Sequence, residues 1–380
     1  MTYTRRTFLK TAGIAAVLAA FGGITFINQA KVGAGGKDIL KQKVINSPHY
    51  INGEFKNFEP IVPTAMDKNF LSSMKDIVMP PKGTVFPDKP LPTVKTDLKT
   101  LPKNEDVYIW FGHSSFFMQI GGRTILTDPV FSNYASPVFF INKTFPGTDI
   151  YKPEDIPDID VLLISHDHWD HLDYATVMTL KDKIKNVVCP LGVGAHFEYW
   201  GFSPSIIHEG DWFSAIELAD NWQFYILPTR HFSGRLMEKN QTLWAAFALI
   251  TPQKKIFYSG DGGYGKHFRQ IGEMFGGFDF AIMENGQYNI SWPQVHMMPE
   301  EMAQAAMEIK ARNVAPVHCG KFALSPHYWT DPLNRIKAAS GDKNYRLLTP
   351  KIGEIVYLDN VNQKFVDWWM CQKKNEPKIT

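Results

Sequence analysis

The sequence predicts an α/β fold, and three observations carry that expectation. From about Glu105 onward, short runs of β-branched and aromatic residues alternate with stretches of helical periodicity, among them Tyr174–Lys183 and Glu300–Lys310. Two apolar runs, Phe116–Ile120 and Arg123–Thr127, flank Gly121-Gly122 and form a hairpin pattern. Several runs also deliver a histidine or an aspartate just past their last apolar residue. Layered α/β proteins assemble their sites at strand ends, so this repetition already points to chemistry.

The amino-terminal segment has a different character. Thr4-Arg5-Arg6-Thr7-Phe8-Leu9-Lys10 and the Ala- and Gly-rich run to Phe26 resemble a twin-arginine export signal. The apolar stretch is shorter than the ~20 residues of a comfortable membrane span. Val32-Gly33-Ala34 offers a small-residue processing site, so residues 1–34 are expected to be a signal peptide and the compartment the periplasm. A retained membrane anchor is the alternative. Twin-arginine export carries folded proteins. Removing residues 1–34 takes away four bases and no acid, leaving 36 bases against 38 acids. No basic footprint remains at whole-chain level, so nucleic acid is not an expected partner.

Residues 35–104 are rich in lysine and in proline, from Pro48 to Pro102, and are expected to be an irregular extension wrapping the main body. The main domain is expected over residues 105–360. Residues 361–380 form a carboxy-terminal tail whose Trp368-Trp369-Met370 suits packing better than a membrane foot. Three cysteines, Cys189, Cys319 and Cys371, make no disulfide framework, since one thiol must stay unpaired.

The densest signal is His166-Asp167-His168-Trp169-Asp170-His171, directly after the apolar run Val161-Leu162-Leu163-Ile164-Ser165. His166, His168, Asp170 and His171 are four candidate metal ligands within six positions. His166 and His168, two apart, face one side of an extended segment, while Asp170 and His171 come round the turn towards a second ion. Imidazoles with a carboxylate suit zinc, and less selectively iron or manganese. Three further strand ends supply partners: His231 after Phe224–Pro228, Asp261 after Lys255–Gly260, and His318 after Val314–Val317.

Together, His166-x-His168-x-Asp170-His171, His231, Asp261 and His318 resemble the metallo-β-lactamase superfamily with its full dinuclear ligand set. Trp110-Phe111-Gly112-His113-Ser114-Ser115, Leu126-Thr127-Asp128-Pro129-Val130-Phe131, Pro190–His196 and His318–Leu324 are similar to the branch containing N-acyl-phosphatidylethanolamine-hydrolysing phospholipase D and its bacterial relatives. The similarity spans roughly residues 50–358. One departure is Cys319, where the branch pattern has tryptophan. The resemblance implies a four-layer αββα sandwich whose two halves meet at the metals. It implies that His166, His168 and His231 hold one ion, that Asp170, His171 and His318 hold the other, and that Asp261 bridges them. It gives His296, in the loop before Pro299-Glu300-Glu301, a substrate-site role such as proton donation. His113 and Asp128 are expected to orient ligands through hydrogen bonds.

Two divalent ions about 3.5–4 Å apart lower the pKa of a bridging water from ~15.7 towards ~7, so hydroxide becomes available without a serine, cysteine or lysine nucleophile. With only Asp170 and Asp261 as anionic ligands, the centre keeps a charge of about +1 even with hydroxide bound, which favours an anionic phosphodiester. Flavodiiron oxygen reductases carry a carboxylate at the second motif histidine and a flavodoxin module. His168 and the absence of that module disfavour redox chemistry. The leading expectation is a dinuclear zinc phosphodiesterase of phospholipase D type, acting on N-acyl-phosphatidylethanolamine-like lipids with membrane-surface association. The alternatives are a lactone or small-phosphodiester hydrolase and a non-catalytic periplasmic metal-binding protein. Phe131, Tyr134, Phe139, Phe140, Phe145, Tyr288 and Trp292 are candidates to line a lipid groove.

Overall fold

A computed structural model describes residues 29–61, 85–235, 239–290 and 292–372. The twin-arginine segment and the run to Phe26 lie outside the described residues. Two short strands, β1 (Tyr50–Ile51) and β2 (Glu54–Phe55), pair in the extension. The main body then runs β3 (Val107–Trp110), β4 (Phe116–Ile120), β5 (Arg123–Thr127), β6 (Val161–Leu163), β7 (Val187–Pro190) and β8 (Ile207–Gly210). It continues through β9 (Ala215–Leu218), β10 (Trp222–Leu227), β11 (Ala246–Ile250) and β12 (Lys255–Tyr258). β13 (Phe280–Glu284), β14 (Asn313–Val317), β15 (Arg346–Leu347) and β16 (Ile355–Tyr357) complete it.

These strands form two seven-stranded mixed sheets, ordered β16-β3-β4-β5-β6-β7-β8 and β15-β14-β13-β12-β11-β10-β9. In each, antiparallel neighbours give way to a parallel half, β5 to β8 and β12 to β15. Helices Tyr174–Leu180 and Gly194–Tyr199 cross between the parallel strands of the first sheet. Helices His267–Phe275, Pro299–Glu308 and Asp331–Ala339 do so in the second. Parallel strands need such crossovers, and the helices cover the outer faces.

The period-two alternation of a strand sorts side chains between layers. In β4, Phe116 and Met118 face the gap between sheets, while Phe117 faces the outer layer with Val177 and Phe197. In β13, Phe280 and Ile282 join the inter-sheet core, while Ala281 and Met283 pack with Met302 and Ala306. Strands β3, β6 and β7, buried on both faces, read as continuous apolar runs, and the result is the four-layer αββα order the resemblance implied. The hairpin pairs Phe116–Ile120 with Arg123–Thr127 across Gly121-Gly122. The expected second helix begins at Pro299, with acidic Glu300 and Glu301 in its first turn and Glu301 accepting from the Met298 N–H.

The extension has little regular structure, yet it contributes to the core. Val44, Phe55 and Leu91 are buried with the inter-sheet cluster, and Leu98 with the outer one. Trp368 and Trp369 of the tail are buried in the same inter-sheet cluster, and Trp369 Nε1 donates to Asn334 Oδ1 at 3.0 Å. Phe131, Phe145 and Tyr288 are also buried, so these three aromatics pack the interior and do not line a groove. Among the described residues, no helix is long and apolar enough to cross a membrane.

Residues Ala30–Ala34 form a strap on the body. Arg235 is buried, and its guanidinium donates to Lys31 O (2.8 Å) and Val32 O (3.1 Å) on one side. On the other side it donates to Asp167 O (2.9 Å) and Leu172 O (2.8 Å), in the His166–His171 loop and just past it. Its Cζ lies 3.8 Å from the centroid of the Trp169 ring. Trp200 Nε1 donates to Ala30 O, and the Ala34 N–H to His196 Nδ1. Gly33, at φ 90°, passes so near His196 that a Cβ would lie 2.2 Å from Nδ1. The folded body thus takes in Ala30–Ala34, residues that the signal-peptide expectation assigned to the removed segment. A form beginning at residue 35 is expected to unfold at lower urea than one beginning at residue 29, by about 3 kcal/mol or more for the two lost charge-assisted bonds. Coincident unfolding curves for the two forms would show that the strap contributes nothing.

Candidate metal centre

The carboxy ends of β6, β10, β12 and β14, with the turns after β3 and β5, bring the polar residues to one edge of the sandwich. β6 leads through Ile164-Ser165 into His166, β10 into His231, β12 into Asp261 and β14 directly into His318. Gly260 makes the approach to Asp261 feasible: it sits at φ 56°, and a Cβ there would lie 2.3 Å from Ala245 O. His113, Asp128 and His318 themselves adopt left-handed φ of 53°, 40° and 63°. Such backbone strain concentrates at functional sites and costs about 1–3 kcal/mol per residue.

Asp261 Oδ2 is the hub. It lies 3.1 Å from His171 Nε2, 3.2 Å from His318 Nε2 and 3.9 Å from both His166 Nε2 and His231 Nε2. On one flank His168 Nδ1 stands 2.9 Å from His166 Nε2 and 3.2 Å from His231 Nε2. On the other, Asp170 Oδ2 is 3.5 Å from His171 Nε2, and His113, Asp170, His171 and His318 bring their donor atoms within 4.8 Å of one another. The resemblance implied one set of His166, His168 and His231 and another of Asp170, His171 and His318; the donor atoms within each set lie within 4.8 Å of one another, as do those of His166, His171 and Asp261. His113 joins the second group through Nε2, 2.9 Å from Asp170 Oδ2.

The rings are fixed from behind. His171 Nδ1 is 2.8 Å from Asp128 Oδ2, which also accepts from Ser165 Oγ (2.5 Å) and Tyr258 Oη (2.6 Å). His231 Nδ1 donates to Val295 O at 3.0 Å, and His318 Nδ1 is 2.9 Å from Ser114 Oγ. An Nδ1–H that donates outward leaves an Nε2 lone pair pointing inward, the form a metal takes. Asp261 Oδ1 and His318 Nε2 are buried without a hydrogen-bond partner among the described residues. Imidazole nitrogens crowded at such distances, with a carboxylate in their midst, fit two divalent cations.

His296 stands in the loop before helix Pro299–Glu308, its ring stacked on His318 (5.2 Å, 15°) and 5.1 Å from His231. Its Nδ1 hydrogen-bonds Glu284 Oε1. Glu284 escaped the sequence reading although it carries the strand-end signal that marked Asp261 and His318, following Phe280-Ala281-Ile282-Met283. Asp167, inside the motif, turns away from the centre and accepts from the Gly234 N–H (2.7 Å) and Thr242 Oγ1 (2.9 Å). Its other neighbour, His196 Nε2 at 3.4 Å, links it to the strap.

Comparison with known proteins agrees with this geometry. Residues 123–319 match the beta-lactamase superfamily domain. The chain belongs to the metallo-β-lactamase superfamily. An uncharacterised Mycobacterium tuberculosis protein is 33% identical over 361 residues, covering 93% of this chain and 96% of its own. N-acyl-phosphatidylethanolamine-hydrolyzing phospholipase D 1 of Caenorhabditis elegans is 30% identical over 269 residues, 65% of this chain and 74% of that one. Among solved structures, Igni18, a metallo hydrolase of Ignicoccus hospitalis, aligns with a TM-score of 0.52 at 19% identity, covering 66% of this chain and 97% of its own. The superfamily assignment and the His/Asp clusters make this chain a metal-dependent hydrolase of the metallo-β-lactamase fold.

Protonation follows burial. Burial lowers the pKa of His113, His166, His231, His296 and His318, and it holds His168 down at about 4. His171 is the exception: burial opposes its cation, but Asp261, Asp170 and Asp128 outweigh that and raise it. Burial pushes Asp261 up to about 7 and Glu284 well above the carboxylate range. As pH falls below 6.5, the unfolded chain protonates nine imidazoles whose pKa the fold lowers, these six with His208, His267 and His327, while among the described residues the fold raises the pKa of three carboxyls, Asp261, Glu284 and Glu301. The metal-free protein therefore loses stability as pH falls from about 6.5 to about 4. Melting temperatures of chelator-treated protein across that range are expected to fall, and a flat or rising profile would contradict the assignment.

Proposed function

We propose that this protein is a dinuclear zinc phosphodiesterase of phospholipase D type, acting on N-acyl-phosphatidylethanolamine-like lipids. The observation that carries the proposal is the donor set around Asp261 Oδ2: five imidazoles and only two carboxylates, Asp170 and Asp261. Such a set leaves two divalent ions under-neutralised and attractive to a phosphodiester anion. When bound, the ions would supply Lewis-acid polarisation and a water of lowered pKa. His166, His168 and His231 would hold one, Asp170, His171 and His318 the other, with Asp261 shared between them. Similarity to the Caenorhabditis elegans phospholipase D supports the lipid class.

The chain's own residues would do the rest. His113 and Asp128 fix Asp170 and His171, and His296 stands where it can meet the leaving oxygen. Phe139, Phe140 and Ile141 are exposed together on one loop (69%, 61% and 45%), which suits contact with a lipid surface. A periplasmic location, reached by twin-arginine export, would place the enzyme beside such a surface.

Zinc-loaded protein offered N-acyl-phosphatidylethanolamine, bis(p-nitrophenyl) phosphate and an acyl-homoserine lactone is expected to cleave the two phosphodiesters, releasing phosphatidate from the lipid. Asp261→Ala is expected to lose at least about a hundredfold in kcat. Lactone cleavage without phosphodiester turnover would replace this function with the lactonase. Wild-type inactivity on all three, equal to that of Asp261→Ala, would leave a metal-binding protein without turnover on these substrates.

A further inference from the structure

β10 is paired with β11 as far as Leu227, opposite Ala246, and His231 stands beyond that last pair. Past the end of a ladder, backbone N–H and C=O groups need other partners. Arg230 has Gly263, whose N–H donates to Arg230 O at 3.0 Å in an isolated bridge. His231 has Asn57. The Asn57 Nδ2 donates to His231 O at 2.8 Å, and the His231 N–H donates to Asn57 Oδ1 at 2.9 Å. A carboxamide carries a donor and an acceptor in one plane, the same pair that a neighbouring strand would present. One side chain of the extension, 174 residues away in sequence, thus stands in for a sheet partner.

Asn57 is itself held on both sides. Before it, Phe55 is fully buried in the inter-sheet core, and its N–H donates to Asn240 O at 2.8 Å. The Lys56 N–H donates to His49 O at 2.9 Å. After it, Phe58 packs on Phe213 with ring centroids 5.6 Å apart, and Pro60 O accepts from Arg230 Nη2 at 2.7 Å. The same guanidinium donates to Gln294 Oε1 (2.9 Å) and Tyr264 O (3.1 Å), so this part of the extension is tied to the rim of the site.

The His231 ring has its own restraint in Val295 O, at 3.0 Å from Nδ1. That contact sets how the ring is turned, and Asn57 sets where its backbone lies. Nε2 then stands 3.2 Å from His168 Nδ1 and 3.9 Å from Asp261 Oδ2. Metal–ligand distances hold to about 0.2 Å, so the place of the ring matters as much as its turn.

We propose that Asn57 is a positioning residue that sets the backbone of His231, so that the extension completes the donor set of the ion that His166, His168 and His231 would hold. The proposal rests on His231 being a metal donor and not on the phosphodiesterase function. Asn57 acts through His231 alone and touches neither ion nor substrate.

Asn57→Leu keeps most of the bulk of the carboxamide and removes both bonds. Phe58→Ala loosens the next link of the extension and leaves them intact. Metal-free proteins are titrated with zinc against a chromophoric chelator, and wild type is expected to take up two ions. In Asn57→Leu one ion is expected to bind at least about tenfold more weakly while the other changes less than about threefold. Asn57→Ala is expected to give the same split, and Phe58→Ala to match wild type at both ions. His231→Ala is expected to weaken the same ion, and adding Asn57→Leu to it to cost less than about twofold more, because no ring is left to place. Weakening of neither ion, weakening of both alike, a larger further loss in the His231→Ala background, or failure of both Asn57 variants to fold would overturn the proposal. Wild type that takes up fewer than two ions would remove the donor assignment beneath it and overturn it as well. The readout is metal uptake, so a lack of phosphodiester turnover would count against the function proposed above and not against the role of Asn57.

Discussion

Imidazole rings do not gather lone pair to lone pair unless something positive holds them, and this constraint organises the whole edge of the sandwich. His166 Nε2, His168 Nδ1 and His231 Nε2 lie 2.9–3.2 Å apart in a chain, with Asp261 Oδ2 close beside them. The layers behind them act as a frame against which these groups are pressed. Hydrogen bonds to Asp128, Ser114 and Val295 hold the rings so that they cannot turn away. The left-handed φ at His113, Asp128 and His318 is backbone strain that the surrounding sheets sustain.

Two sheets divide the labour. The first supplies the His166–His171 loop, with His113 and Asp128; the second supplies His231, Asp261, Glu284 and His318. No single strand makes a site, and the continuous apolar strands between Phe116 and Ile282 set the distance between the two sets of donors. Packing in the inter-sheet core and chemistry at its edge are therefore one problem. Tyr258 shows this within one side chain, with its ring in the core and its hydroxyl on Asp128.

The metal donors were legible because ligand chemistry demands particular residue types, and a strand end leaves a local trace in the sequence. Glu284 left the same trace, but a lone glutamate after an apolar run does not reveal that it will be fully buried beside a histidine twelve residues on. Arg235 was invisible for a different reason: every hydrogen-bond partner found for it is a backbone carbonyl, and carbonyls have no sequence signature. Phe131, Phe145 and Tyr288 misled because aromatic side chains look alike whether they line a groove or fill a core, and only the layer they enter separates the two. The order of the layers came from resemblance, since alternation alone says strand and helix without saying how two sheets face.

The strap has a consequence in time. Val32 leaves the ribosome 203 residues before Arg235, its partner, and Ala34 leaves 162 residues before His196. The earliest described segment of the chain must wait, unbraced, until more than half of the protein has been made. The back of the metal loop is closed by the joining of something very early to something late, so a nascent chain can hold the whole His166–His171 cluster and still lack the support that steadies it.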